Sequence, residues 1–289
     1  MKAGWLPKLL ITPSAFLVLV CVYGYIMFTV YLSFTASTIL PNMEWNGTAA
    51  YTRLFALENW SVALGNLWVF ASLYILIAMG MGLTLAILID QKVRAESALR
   101  SVFLYPMALS FIVTGTAWKW LLDPGVGVEH SLKAMGIDNI PFDWIKSSEM
   151  AIYCVVIAGI WQSAGFAMAL FLAGLRGIDN SIIKAAQIDG ATLPRIYWRI
   201  VLPALRPVFF STLMVLSHLA IKSFDLIMAL TSGGPGYATD VPATFMYAMS
   251  FTRGQIGLGA ASATMMLATV AALVVPYLYS ELRSKNHEH

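Results

Sequence analysis

Charge is scarce in this chain. Asp, Glu, Lys and Arg make up 11% of its 289 residues, against about 25% in ordinary soluble domains. A folded body of this length with so little charge has no polar exterior to present to water. Cysteine is scarcer still: Cys21 and Cys154 both lie in apolar runs, where a thiol behaves as a small hydrophobe. Their spacing suggests neither a disulfide framework nor a metal site. The four histidines are scattered, two of them, His287 and His289, in the terminal tail. No G-x-x-x-x-G-K-[ST] phosphate loop, H-E-x-x-H or G-x-S-x-G occurs. The cluster Gly233-Gly234-Pro235-Gly236 has glycines but lacks the Lys and Ser/Thr that would hold a phosphate. The residues therefore name no catalytic and no metal site. A nucleotide would have to be bound by another subunit.

What is abundant is apolar length. Hydrophobic residues are 59% of the chain. Six runs approach or exceed the roughly 20 residues that cross a bilayer: about 9–33, 66–89, 101–122, 151–175, 207–230 and 257–280. These predict an all-α polytopic membrane protein of six transmembrane helices, a single domain over residues 1–289 with lipid as its solvent. The first run is too long for a cleaved signal peptide and has no small-x-small site close behind it. Lys and Arg set the orientation. With the N-terminus inside, the cytoplasmic segments carry Lys2, Lys8, Lys92, Arg94, Arg100, Arg176, Lys184, Arg195, Arg199, Arg206, Arg283 and Lys285. The other side has Arg53, Lys133, Lys146 and Arg253, and Lys119 and Lys222 fall inside spans. Both termini are thus expected in the cytoplasm. The net charge of +3 reflects this asymmetry and not a nucleic-acid partner.

One cytoplasmic segment, about 176–206, is more ordered than a turn requires. Ser181 is placed to cap a short helix through Ile188. Asp189-Gly190 ends that helix, because glycine accepts the left-handed conformation of a helix stop. Pro194 suits the first turn of a second helix, expected to stop before Leu202-Pro203. Two short helices meeting at a glycine corner form a knob for contact with another protein.

The residues Ala185, Ala186, Asp189, Gly190, Ala191, Tyr197, Ile200, Leu202, Pro203 and Pro207 follow the pattern A-A-x-x-D-G-A, an aromatic, then I-x-L-P and a final Pro. This resembles the EAA loop of ATP-binding-cassette import permeases, with Lys184 where that motif begins with Glu. The resemblance implies that Lys184 through Pro203 couple the chain to an ATPase. That ATPase dimer, not this chain, would use ATP and Mg²⁺; no cofactor is expected here.

Polar groups inside the apolar runs are the second informative set, since an ionisable residue at depth costs roughly 2.5–3.5 kcal/mol on insertion scales. In the fifth run His218, Lys222 and Asp225 fall at i, i+4 and i+7, on one face if the helix is continuous, with Lys222 and Asp225 close enough to pair. That stripe reads either as a wetted substrate path or as a structural ion pair. In the fourth run Trp161 beside Gln162 would suit a sugar, the ring covering C–H faces and the amide meeting hydroxyls. Gln162 serves equally as a hydrogen bond between helices. Trp118-Lys119-Trp120 reads as interfacial belt, and Ala260, Thr264, Ala268 and Ala272 as a ridge for close helix packing.

Ser223 to Asp240, SFDLIMALTSGGPGYATD, is similar to the carbohydrate branch of those permeases, the first permease subunit of maltose-type importers. Over nearly its whole length the chain looks most like glucose/mannose-type permeases. The resemblance implies a non-catalytic subunit of a bacterial inner-membrane sugar importer working by alternating access. It also implies a heterodimer with a second permease, an ATPase dimer below and a periplasmic sugar-binding protein above. A proton-coupled secondary transporter using Lys222 and Asp225, or an accessory membrane subunit, are the competing readings.

Overall fold

A backbone surrounded by lipid must bond to itself, and the apolar runs are accordingly helical. The computed structural model describes residues 5–40, 42–91, 93–136 and 143–285. Lys2, Lys92, His287 and His289 lie outside the described residues. Among those described there is no strand, only an isolated antiparallel bridge between Thr35 and Trp45. Four helices are each long and apolar enough to cross a bilayer: Ile11–Leu32, Glu58–Asp90, Ala151–Arg176 and Ile256–Tyr277. The spans number up to six if each of two bent pairs, Glu96–Ala108 with Phe111–Leu121 and Leu193–Ala204 with Arg206–Ile221, contributes one crossing.

Two of the runs depart from the continuous helices expected. The third, read over 101–122, is two helices meeting at 97°. Pro106 sits in the last turn of the first, Leu109 leaves helical geometry, and Ser110 restarts the chain by accepting the Val113 N–H at 3.3 Å. A proline removes a ladder donor and a serine caps a new helix, so break and restart are both encoded locally. The fifth run, read over 207–230, is also interrupted. Arg206–Ile221 ends at Lys222, and Phe224–Leu230 begins after Ser223.

The chain read as one domain forms two compact units. One comprises Met1–Ser61 and Pro242–Ala272, the other Val62–Val241 and Leu273–His289. In the first, Phe34 stacks on Trp45 at 5.2 Å, Trp60 is buried against Phe245 at 5.2 Å, and the Gly257 N–H bonds the Ser37 carbonyl at 2.9 Å. The small-residue ridge of the last span is covered only at its start. Ala260 is buried and Thr264 half-buried, while Ala268 and Ala272 are exposed.

In the second unit the fourth span is the axis, buried along most of its length from Ala151 to Leu175. Glycines let neighbouring backbones reach it. A Cβ on Gly165 would overlap the Phe103 carbonyl, and one on Gly82 would stand 2.6 Å from the Ala167 Cβ. The half-helix Phe111–Leu121 packs on Phe224–Leu230 in the same way, Gly115 lying against Leu226 and Ala229. Small residues at crossings are how membrane helices gain dispersion contact that lipid would otherwise supply.

Candidate coupling and translocation sites

The 176–206 segment forms two short helices, as its sequence predicts, with two corrections. Asp179, not Ser181, starts the first: its carboxylate accepts the Ser181 N–H at 2.8 Å. That bond holds the Asp179 carboxyl below its usual range. The helix Asn180–Ile188 stops at Gly190, whose φ is +79°. The Ala191 and Gly190 N–H groups bond the carbonyls of Ala186 and Gln187, each at 3.0 Å, the pairing that satisfies the last carbonyls of a glycine-terminated helix. The second helix starts with Pro194 in its first turn, and it does not stop before Leu202-Pro203. It widens to an i+5 turn over Tyr197–Val201, continues to Ala204, and bends by 63° into Arg206–Ile221. The wider turn accommodates the donor that Pro203 lacks.

These helices are two-sided. Ile183, Ala186, Ala191, Tyr197 and Ile200 pack on a buried cluster built from Ala86 and Ile89 of the second span, Phe171, Leu172 and Leu175 of the fourth, and Ile196, Val201 and Leu205. The Tyr197 hydroxyl accepts from Gln91 Nε2 at 3.1 Å. On the other side Lys184, Ala185, Asp189, Gly190 and Pro203 are exposed, with Leu202 between. The predicted coupling residues thus divide into an anchor and an outward surface.

Sequence reasoning counted Arg176 only as a charge. Its Nη2 donates to Glu96 Oε1 at 2.6 Å, and its Nε lies 3.8 Å from Asp90 Oδ1. Arg100 stands 3.8 Å from the same Glu96 oxygen. One guanidinium therefore joins the ends of the second and fourth spans to the start of the third, beside the knob. Its partners are exposed enough that the stabilisation is below about 1 kcal/mol, so its expected role is positional. Replacing Arg176 by Ala should leave the yield of assembled protein within about twofold. If the knob couples to an ATPase, as its resemblance implies, uptake per ATP hydrolysed in reconstituted vesicles should fall severalfold, with partial recovery in Arg176→Lys. An unchanged ratio would assign the cluster to surface solvation.

The two-helix knob is thus anchored on the ends of the second and fourth spans. The model of the family described as "Binding-protein-dependent transport system inner membrane component" matches residues 78–284. The chain belongs to that family. A probable ABC transporter permease of Pyrococcus horikoshii is 38% identical over 94% of both chains. The xylose/arabinose import permease of Haloferax volcanii is 33% identical over 91% of this chain and 84% of the relative. Among solved structures, a bacterial ABC transporter involved in the import of the acidic polysaccharide alginate has a chain that superposes with a TM-score of 0.83. That match covers 98% of this chain and 96% of the other at 22% identity, and so speaks for the fold. Permeases of this family are non-catalytic membrane components, and hydrolysis of ATP belongs to a separate subunit.

The permease's intramembrane polar residues are not arranged as a continuous stripe. His218 lies on Arg206–Ile221, Lys222 ends that helix, and Asp225 lies in the first turn of the next. All three are exposed, and Lys222 and Asp225 form no ion pair. The expected pairing presumed a helix that the Lys222-Ser223 break removes. A double-mutant cycle of Lys222→Met and Asp225→Leu should therefore be additive in complex yield to within about 0.5 kcal/mol. Rescue of either single change by the other would restore the pair. Ser211, on the same helix, bonds Pro207 O at 3.0 Å and the Tyr277 hydroxyl at 3.2 Å.

Gln162 is 2% exposed, and its Nε2 donates to the Leu109 carbonyl at 2.8 Å. Its amide nitrogen satisfies an acceptor freed by the third-span break, an interhelix bond. Trp161 is 42% exposed and stands edge-on to Trp118, ring centroids 6.0 Å apart.

Proposed function

We propose that this permease is the translocating subunit of an ATP-driven, binding-protein-dependent sugar importer, and that glucose, mannose or a closely related sugar is its cargo. The observation that carries the reading is the knob's anchorage: its inner face is built into the second and fourth spans, and its second helix bends directly into the fifth. A displacement of the knob is therefore delivered to the helix bearing His218 and Lys222. That is the geometry alternating access needs, since packed elements move as blocks. The partners are a second permease, an ATPase dimer holding ATP and Mg²⁺ at the knob, and a sugar-binding protein on the opposite face. Both termini then lie in the cytoplasm of an inner membrane.

The cargo path is assigned to exposed His218, Lys222 and Asp225 at the fifth-span break, with Trp161 as the ring surface. Curated relatives carry different cargoes by name, xylose/arabinose in one and trehalose/maltose in a Thermococcus litoralis permease that is 27% identical over 96% of this chain. Glucose/mannose is favoured here by the sequence resemblance over the whole length. The test is labelled-sugar uptake in vesicles holding the full complex. ATP-dependent, ionophore-insensitive uptake of glucose or mannose, outcompeting xylose and maltose, is the expected result. Uptake of another sugar would replace the cargo and leave the class standing, while collapse of uptake with the proton gradient would overturn the class.

A further inference from the structure

The second span does more than anchor the knob. It is one unbroken helix, Glu58–Asp90, of 33 residues. Toward one end Ala86 and Ile89 belong to the cluster on which the knob packs. Asn66 lies toward the other end, about 35 Å from Ile89 along the axis at about 1.5 Å per residue. That distance is close to the thickness of a bilayer's apolar core. There the Asn66 Nδ2 gives both its protons to carbonyls of another element, Tyr237 O at 3.0 Å and Asp240 O at 2.9 Å.

Both acceptors belong to a turn, 231–240, that is folded on itself. Ser232, Gly233 and Gly236 hold positive φ. The Thr231 and Thr239 hydroxyls lie 2.7 Å apart inside it, and the Thr239 N–H bonds the Gly233 carbonyl at 3.2 Å. Of its residues only Ser232, Gly236 and Tyr237 are exposed. A turn so closed moves as a piece. It continues directly from Phe224–Leu230, whose first turn carries Asp225 at the fifth-span break. Asparagine is a poor former of a helix interior, so the worth of Asn66 lies in the two carbonyls it joins.

We propose that Asn66 is a positioning residue that makes the turn 231–240 travel with the second span. Displacement of the knob is then delivered to the far end of that helix, and from the turn to the half-helix bearing Asp225. This rests on the reading above that an ATPase moves the knob.

The test is hydrogen–deuterium exchange, read by mass spectrometry on the full complex in nanodiscs, with and without nucleotide trapped on the ATPase by vanadate. In the parent, trapping is expected to change exchange in peptides of the knob, 180–204, and of the turn, 231–240. In Asn66→Ala the knob response should remain while the turn response falls at least about threefold. Uptake per ATP hydrolysed, at matched yield, should fall severalfold. Asn66→Asp should be worse than Asn66→Ala, because it sets an oxygen without a proton against two carbonyl oxygens. Asn66→Gln keeps both donor protons on a longer arm and should recover part of the loss. A turn that still answers trapping in Asn66→Ala, with uptake per ATP unchanged, would reduce the two bonds to local packing and overturn the proposal. So would a parent turn that ignores trapping while the knob responds, a result that needs no variant to fold. If neither the parent's knob nor its uptake responds to ATP, the functional reading fails first and the proposal falls with it.

Discussion

Replacing Gly165 by Val is expected to remove nearly all folded permease from the membrane. A Cβ at Gly165 would overlap the Phe103 carbonyl oxygen and lie 2.6 Å from the Phe103 carbonyl carbon and 3.2 Å from the Leu104 nitrogen. All three are backbone atoms, so no side chain can swing aside. The helix that would have to move, Glu96–Ala108, is tied at one end by Glu96 to Arg176 and at the other by the Gln162 bond to Leu109. Overpacking a core costs about 1–3 kcal/mol even where side chains yield, and here the yielding element is a whole span. The expected yield of monodisperse protein after detergent extraction is below about a tenth of the parent's. Gly80→Ala is the control. Gly80 is exposed on the second span, with nothing among the described residues within 4 Å of a Cβ, and alanine is the better helix former by about 1 kcal/mol. Its yield should be unchanged or higher. A normal yield for Gly165→Val would mean that the fourth span does not pack this closely in the membrane.

The contrast between these two glycines shows which parts of the fold a sequence exposes. The apolar runs and the knob were readable because each rests on local chemistry: span length, and the Gly190 and Pro194 punctuation. The third-span break was written just as locally, in Pro106 and Ser110. Pro106 alone does not announce a break, because a membrane helix often carries a proline without breaking. The fifth-span break has no such mark, since Lys222 and Ser223 carry neither proline nor glycine. Gly165, Gly82 and Gly115 look alike in the sequence to Gly80. Only the fold shows which of them meets a neighbouring backbone. The site divides in the same way. The knob residues were in register and formed, whereas Gln162 became a helix bond and Lys222 lost its partner once the helix ended beneath it. Arg176 could have been found by asking which loop cation has carboxylates near the adjoining span ends, because Asp90 and Glu96 are the acids that flank the second and third spans.

Gly190→Val is expected to leave insertion intact and to stop transport. Gly190 holds φ at +79°, and nothing lies within 4 Å of a Cβ built on it, so the chain itself has room for a side chain. The cost is conformational. An L-residue in the left-handed region loses about 1–2 kcal/mol, and a β-branched one more. The strain falls on the corner where the Ala191 and Gly190 N–H groups close the first knob helix, and relaxing it would re-aim Ile183 and Ala186 away from the anchor cluster. Uptake should fall by at least about tenfold, and ATPase co-purification should weaken with it, while the amount of protein in the membrane stays near the parent's. The identity of the replacement separates two causes. Asparagine tolerates the left-handed region better than alanine or valine. Activity ordered Gly, Asn, Ala, Val would make the backbone angle the requirement. Activity falling with side-chain size instead, Ala above Asn, would mean that the ATPase itself sits against Gly190, since none of the described residues does. Full transport by Gly190→Val with normal ATPase co-purification would take the knob out of the mechanism and leave the spans to move without it.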